Sequence, residues 1–206
     1  MHVTECSEGL RRSARSRATP PRMPTDQGFL DSLAVQYIDD STPGIGSFCC
    51  NDGVEWFLKN VACDHHRRRI STTTCWLSAG VVVGYISTSM STVELFDAPQ
   101  RGAVGLAGVV FQEHTKHARR FPAFLVGMLG VDKSSRRKGL AKHMVQYSIG
   151  KARSLSESVG CRFVTVDADK TPEASGLYQE MKFTMVEGQD ARRATAWMYF
   201  DLGSRS

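Results

Sequence analysis

Three consecutive cations, Arg136, Arg137 and Lys138, stand directly before Gly139, with Lys133 just upstream. The chain before them is a strongly apolar run over residues 124–130, and the chain after them has the spacing of a long amphipathic helix. Cations therefore crowd the start of a helix, where the backbone already carries partial positive charge and each loses a few tenths to ~1 kcal/mol. A segment that breaks its local preference this often predicts a compensating anion, and the natural one is a phosphate group. Phosphate would accept the free N–H groups of the first turn and neutralise the side chains, while Gly139 lets the backbone approach closely. A second group able to bind something is Cys63-Asp64-His65-His66 with Cys49-Cys50 upstream. Its spacing matches no established zinc pattern, so no metal is expected.

The elements that must hold the basic loop follow from hydrophobic period. Residues 121–131 read as one continuous strand buried on both faces. Beyond Gly139, Leu140, Met144, Ala152, Leu155 and Val159, with Val145 and Ile149 beside them, mark one helical face, and Gly160 is its expected stop. Residues 162–167 form the next strand, so strand, helix and strand demand a right-handed parallel crossover. Earlier, residues 33–38 read as a strand. Val54, Phe57, Leu58, Val61 and Ala62 recur at helical spacing after a cap at Asn51 or Asp52, in a helix closed by Arg67, Arg68 and Arg69. Those arginines read as a solvated helix end, with an RNA-facing role as the alternative. Two β-rich runs, residues 72–77 and 81–88, flank Ala79-Gly80 as a hairpin. Residues 97–120 read as a polar, irregular loop. A short helix over residues 172–181 and strands over 183–186 and 194–202 complete the order. The fold class is α+β, a mixed and mostly antiparallel sheet with a central parallel strand–helix–strand crossover and flanking helices.

Composition narrows the setting. With 206 residues, 41% of them apolar, and a mean hydropathy of −0.26, the chain is an ordinary globular protein without a span of ~20 apolar residues. The formal charge of +5 is uneven: residues 1–24 carry five arginines against Glu5 and Glu8, a net +3, which leaves +2 for residues 25–206. Bulk charge is thus a weak argument for nucleic acid. The basic, Pro- and Ser-rich residues 1–24 are expected to be a disordered tail, with Met23 offering an internal start, ahead of a single domain over 25–206. No apolar core follows the tail arginines, so a secretory signal is not expected, and six cysteines without a regular framework fit reduced cytoplasmic thiols.

On these residues the chain resembles the GNAT superfamily of acyl-CoA-dependent N-acyltransferases. The family's Gln/Arg-x-x-Gly-x-Gly/Ala signature opens a helix after an apolar strand, and here it is Arg136-Arg137-Lys138-Gly139-Leu140-Ala141. Its Tyr-x-x-x-Gly-Phe element is matched by Tyr178 to Phe183, with Lys182 where glycine is usual. A narrower resemblance is to the GNAT-type toxins of bacterial toxin–antitoxin systems, carried by Phe48-Cys49-Cys50 through Glu55-Trp56-Phe57-Leu58, by Val83-Gly84-Tyr85-Ile86-Ser87, and by Leu129-Gly130-Val131-Asp132-Lys133-Ser134. Cys50 and Arg137 replace glycines of that pattern, and Thr171 replaces an asparagine.

The resemblance implies acetyl-CoA as co-substrate, lying between the central strand ending at Val131 and the strand over 162–167. Backbone groups of Leu129, Gly130 and Val131 would hold its pantetheine arm and acetyl carbonyl. Arg136, Arg137, Lys138, Gly139, Leu140 and Ala141 would cradle its pyrophosphate. Tyr178 would protonate the departing thiolate, since a phenol of pKa ~10 is protonated at neutral pH. No Asp or Glu lies within residues 121–130, where many relatives keep a carboxylate base. A lysine amine of pKa ~10.4 needs such a base, whereas an α-amine near 7.7–8.0 is already substantially neutral. The acceptor expected is therefore an α-amine such as that of aminoacyl-tRNA, with Asp167 or a water chain as the route for a lysine. The resemblance also implies an antitoxin partner and a homodimer. The other readings are acetylation of a small amine, protein N-terminus or lysine, or a silent acyl-CoA-binding module.

Overall fold

The computed structural model describes residues 26–95, 97–106 and 120–203; the expected tail over residues 1–24 and most of the 97–120 loop lie outside them. One seven-stranded sheet runs through the described chain in the order β1-β2-β3-β4-β5-β7-β6. Its strands are β1 (Ala34–Tyr37), β2 (Thr72–Ser78), β3 (Val81–Glu94), β4 (Arg120–Val131), β5 (Phe163–Asp169), β6 (Thr184–Met185) and β7 (Thr195–Asp201). Every neighbouring pair is antiparallel except β4 and β5, which are parallel. The expected α+β class with its central crossover is the observed one.

Helix α5 (Leu140–Ser156) makes that crossover and lies along one face of the sheet. Leu140, Met144, Val145, Ile149 and Ala152 are buried with Ile86, Phe124, Val126, Val164 and Val166 in the largest cluster. Gly84 makes the close approach possible, because a Cβ there would lie 2.8 Å from Leu140 Cδ2 and 3.2 Å from Met144 Sδ. The helix ends sooner than its sequence suggests. Ser156 Oγ donates to the Arg153 carbonyl at 2.7 Å and Ser158 Oγ to that of Leu155 at 3.2 Å, so serine hydroxyls satisfy the last turn. Gly160 is not the stop, and Val159 is exposed rather than part of the apolar face.

On the opposite face, α2 (Asp52–Asn60) and α3 (Ala62–Arg67) cover β2, β3 and the end of β4. The single helix expected here is two, broken at Val61, whose φ of −125° leaves the helical region. The break turns α3 towards β2, where His66 Nδ1 accepts from Thr73 N–H at 3.2 Å. Asn51 stands at the cap position just before α2, where its side chain makes no capping hydrogen bond. Arg67 and Arg68 close α3 in exposed ion pairs with Asp40 and Asp64. Phe48, Leu58, Ala62, Cys75, Leu77 and Tyr85 form the core of this side. A third cluster, with Phe121, Ala123, Phe163, Val186 and Tyr199, lies further along the same face. Within the expected irregular loop stands a short helix, α4 (Ala98–Ala103), capped by Asp97, which accepts from Gln100 N–H at 2.9 Å. Two further helices complete the set: α1 (Gln27–Asp31), ahead of β1, and α6 (Pro172–Glu180), after β5.

Candidate active site

The central strands pair only at one end. β4 and β5 are in register from Ala123 with Phe163 to Val126 with Val166, and the ladder stops there although both strands run on. The cause lies on the other side of β4: Ser87 pairs with Met128 but Thr88 with Val126, so Gly127 is an unmatched bulge residue. A bulge bends its strand and increases its twist, and β4 leaves β5 immediately afterwards. Beyond the bulge, Asp132 N–H donates to the Val83 carbonyl at 2.9 Å. Peptide groups alternate in direction along an antiparallel pair, so Gly130 also turns its peptide group to β3, while Leu129 and Val131 turn theirs into the gap. Of the three backbone sites expected to hold the pantetheine arm, two face the opening. Gly130 contributes space: a Cβ there would sit 2.6 Å from Tyr85 Cε1 and 2.7 Å from Val54 Cγ1.

The turn out of β4 is held by Asp132, to which the sequence reading gave no role. Its carboxylate accepts from Cys49 N–H at 2.7 Å, Ser134 N–H at 2.9 Å and Ser134 Oγ at 2.6 Å. Burial pushes this carboxyl up, but the hydrogen bonds from Ser134 and Cys49 and the charge of Arg136 outweigh it and hold it below the usual carboxylate range. The signal was present as Asp132-Lys133-Ser134, an Asp followed two residues later by Ser, a turn-forming pair. Lys133 N–H returns the contact by donating to the Cys49 carbonyl at 2.9 Å.

After a single 3-10 turn (Lys133–Ser135), Arg137 and Gly139 adopt left-handed backbone, with φ of 64° and 85°. Gly139 stands at the start of α5 with no side-chain cap, and no acidic residue occupies the first turn. The leading N–H groups of a 17-residue helix are thus bare. The cations divide their duties. Arg136 donates to Asn51 Oδ1 at 3.2 Å, tying the loop to the start of α2. Lys138 Nζ sits 4.5 Å from the centroid of the Phe29 ring on α1. Arg137 is exposed and makes no ion pair among the described residues. The loop suits a diphosphate: bare amides, a left-handed glycine and a cation without an ion pair among the described residues lie in one short segment.

Helix α6 flanks the same opening. Lys142, in the first turn of α5, pairs with Glu180 in the last turn of α6 at 2.6 Å, a link with no local signature in sequence. Tyr178 on α6 is 7% exposed, edge-on to Phe183 with ring centroids 5.3 Å apart. Burial, with the nearby charge of Asp169, pushes its phenol up to about 12, so it stays protonated. On β5, Asp167 is engaged by Arg193 Nη2 at 3.1 Å. Two departures from the family glycines, Arg137 and Lys182, both fall on left-handed backbone, Lys182 at φ 65°. Cys63, from the cysteine–histidine segment, hydrogen-bonds Asp40 at 3.2 Å, and no group of three metal-ligating side chains occurs among the described residues.

Residues 42–183 match the acetyltransferase (GNAT) family model. No curated protein matches the chain. Among solved structures, AtaT complexed with acetyl-methionyl-tRNAfMet is similar at a TM-score of 0.67 and 19% identity, over 82% of this chain and 94% of that one. AtaTR bound with AcCoA gives 0.65 and 20%, over 84% and 95%. A tyrosine-to-phenylalanine mutant of KacT gives 0.66 and 18%, over 83% and 95%.

Proposed function

This chain belongs to the GNAT acetyltransferase family, and from that premise we propose that its acceptor is the α-amino group of an aminoacyl-tRNA. The enzyme is an acyl-CoA-dependent N-acyltransferase. The observation that carries the acceptor is electrostatic: no carboxylate lies on residues 121–130, and on β5 Asp167 is held by Arg193 while Asp169 stands by the proposed acid, Tyr178. An acceptor here must bring an amine that is already neutral, and α-amines do so where lysines do not.

Acetyl-CoA would lay its diphosphate on the amides of residues 139–141 and its arm along Leu129 and Val131. The amine nitrogen attacks the thioester carbonyl: the C–N bond forms, the C–S bond breaks, and the amine loses its extra proton to solvent. Fixing both reactants supplies most of the acceleration, and strand N–H groups steady the developing oxyanion. Tyr178 donates its proton to the thiolate, and the proton shed by the amine restores the phenol by way of solvent. The dry surroundings that raise its phenol also destabilise a thiolate expelled beside it, so the two acidities move together and the phenol stays a usable donor.

Under this reading the protein acts as a toxin on charged tRNA in the cytoplasm, controlled by a separate antitoxin protein. The similarity in fold to AtaT, whose solved complexes contain acetyl-methionyl-tRNAfMet and the C-terminus of the antitoxin AtaR, supports it. Induced expression should arrest growth, with N-acetylated aminoacyl-tRNA detected by mass spectrometry of extracted RNA. Normal growth at confirmed expression, with no acetylated species, removes the tRNA acceptor.

A further inference from the structure

The sheet steps back by one strand halfway along β3. β2 begins at Thr72, which pairs with Thr88, whereas β3 runs on to Glu94 with β4 alone beside it. Among the described residues no strand takes the next place, and a groove of about 680 Å³ lies there. Lys151 and Leu155 line it from α5, and His66 and Arg69 from the end of α3 and the turn after it. It therefore sits at the border of the two faces of the sheet. Phe124 of β4 also lines it, three residues before the Gly127 bulge, or about 10 Å along the strand.

The charge of this groove is one-sided, for none of its lining residues is acidic. Arg67 and Arg68 are taken by Asp40 and Asp64, while Arg69 makes no ion pair among the described residues. Arg69 closes the end of α3 at φ 59°, its N–H donating to the His66 carbonyl at 3.1 Å. Glycine is the usual residue at a left-handed position after a helix. An arginine there gives up some stability, and non-glycine residues held this way cluster at functional sites. Lys151 also lacks a carboxylate among the described residues. Its Nζ donates to Tyr37 Oη at 3.5 Å and lies 5.1 Å from the centroid of that ring. His66 rests against the same ring, with centroids 5.5 Å apart. Its Nδ1 accepts from Thr73 N–H, so the neutral imidazole carries its proton on Nε2, as a donor. The hydroxyls of Thr72 and Ser89 line the groove as well, without a hydrogen bond to another described residue. Cations, an N–H donor and hydroxyls are the groups that contact phosphate and sugar.

We propose that this groove holds the phosphodiester backbone of the acceptor RNA just short of its aminoacylated end, with Arg69 and Lys151 each on a phosphate. The inference rests on the aminoacyl-tRNA reading above. The amino acid reaches the opening beyond Gly127, and the groove adds affinity that a free amino acid or small amine cannot use. An acidic peptide would meet the same cations. The position, about 10 Å along β4 from the opening, favours the polyanion that carries the reacting amine.

The test compares the full-length parent with Arg69→Gly, Lys151→Gln and Arg153→Gln. Arg153 lies on α5 over the Phe200 ring at 6.0 Å, outside the groove, and its replacement removes the same charge. Fluorescence anisotropy follows labelled, uncharged tRNA across a salt series, and thiol release is followed with charged tRNA and with alaninamide. Arg69→Gly and Lys151→Gln should each weaken tRNA binding about tenfold. Each should lower the slope of log affinity against log salt by about one and raise the KM for charged tRNA in step. Alaninamide turnover and acetyl-CoA affinity should stay parental, and Arg153→Gln should bind tRNA as the parent does. Arg69→Gly should keep or raise the thermal midpoint, because glycine fits that backbone, which separates lost binding from lost folding. If the parent acetylates charged tRNA while Arg69→Gly and Lys151→Gln match it in affinity and salt slope, the groove is overturned and the acceptor stands. Equal weakening by Arg153→Gln has the same consequence. Poly-glutamate that displaces labelled tRNA as well as unlabelled tRNA does, at equal charge, would give the groove to an acidic protein instead. If the parent neither binds nor acetylates tRNA, the acceptor reading falls and the groove with it.

Discussion

The two faces of the sheet solve different problems. On one, a single 17-residue helix lies across β3, β4 and β5, and its Leu140, Met144 and Val145 are almost wholly buried. On the other, two smaller clusters leave a polar stripe between them, with Ser87, Thr165 and Asp167 among apolar neighbours. Under the proposed function the sealed face would give the cofactor's diphosphate a rigid helix start and the divided face would admit the acceptor. Catalysis would then fall at the line where they meet, because a reaction between two bound molecules needs one held fast and the other free to exchange.

Breaking the chemistry without touching either face should give the largest effect. Tyr178→Phe is expected to lower turnover by about 10²–10⁴-fold, the usual worth of a positioned acid, with acetyl-CoA binding retained in calorimetry. Equal turnover would remove Tyr178 from the mechanism. Next comes the sealed face: Met144→Ala should cost about 2–5 kcal/mol in denaturant unfolding, as expected for a cavity in a closed core. A loss below 1 kcal/mol would mean that α5 does not seal its side.

The junction between the faces should respond to pH. Asp132 holds its carboxyl below the ordinary range, so its contribution to stability is present above that range and is lost as pH falls through the folded value. Asp132→Ala should cost about 1–3 kcal/mol at pH 7, since Cys49 N–H and Ser134 N–H lose their acceptor, and the difference from the parent should shrink in acid. A difference constant down to pH 3 would show that Asp132 does not act through its charge. The smallest effect is a gain. Lys182→Gly should stabilise the chain by about 1 kcal/mol, because glycine adopts its left-handed backbone without strain. A loss there would mean that the lysine side chain supports the turn after α6.

Much of this was readable from residue order. The hairpin of β2 and β3, the apolar β4, the α5 face from Leu140 to Ala152 and the basic loop all repeat at their element's own period, so local pattern and tertiary packing agree. Where they disagree, the sequence misleads. Val61 continues an apolar helical stripe, yet it breaks the helix because α3 must turn towards β2. Gly160 looks like a stop, yet serine hydroxyls end α5 before the chain reaches it. The Lys142–Glu180 bridge and the groove between Arg69 and Lys151 depend on neighbours distant in the chain, and no local period announces them.

Gly127 shows how much can rest on one surplus residue. Side chains along a strand alternate strictly, so an extra residue reverses the parity of all that follow. Leu129 and Val131 point under α5, and Gly130 leaves room beneath Tyr85, only because Gly127 is counted once on β4 and not at all on β3. Deleting that glycine would turn residues 128–131 inside out: leucine and valine would be driven against the Tyr85 ring, and the ladder to β5 could close. The enzyme's opening is therefore a matter of odd and even, set by a residue whose own side chain is a single hydrogen.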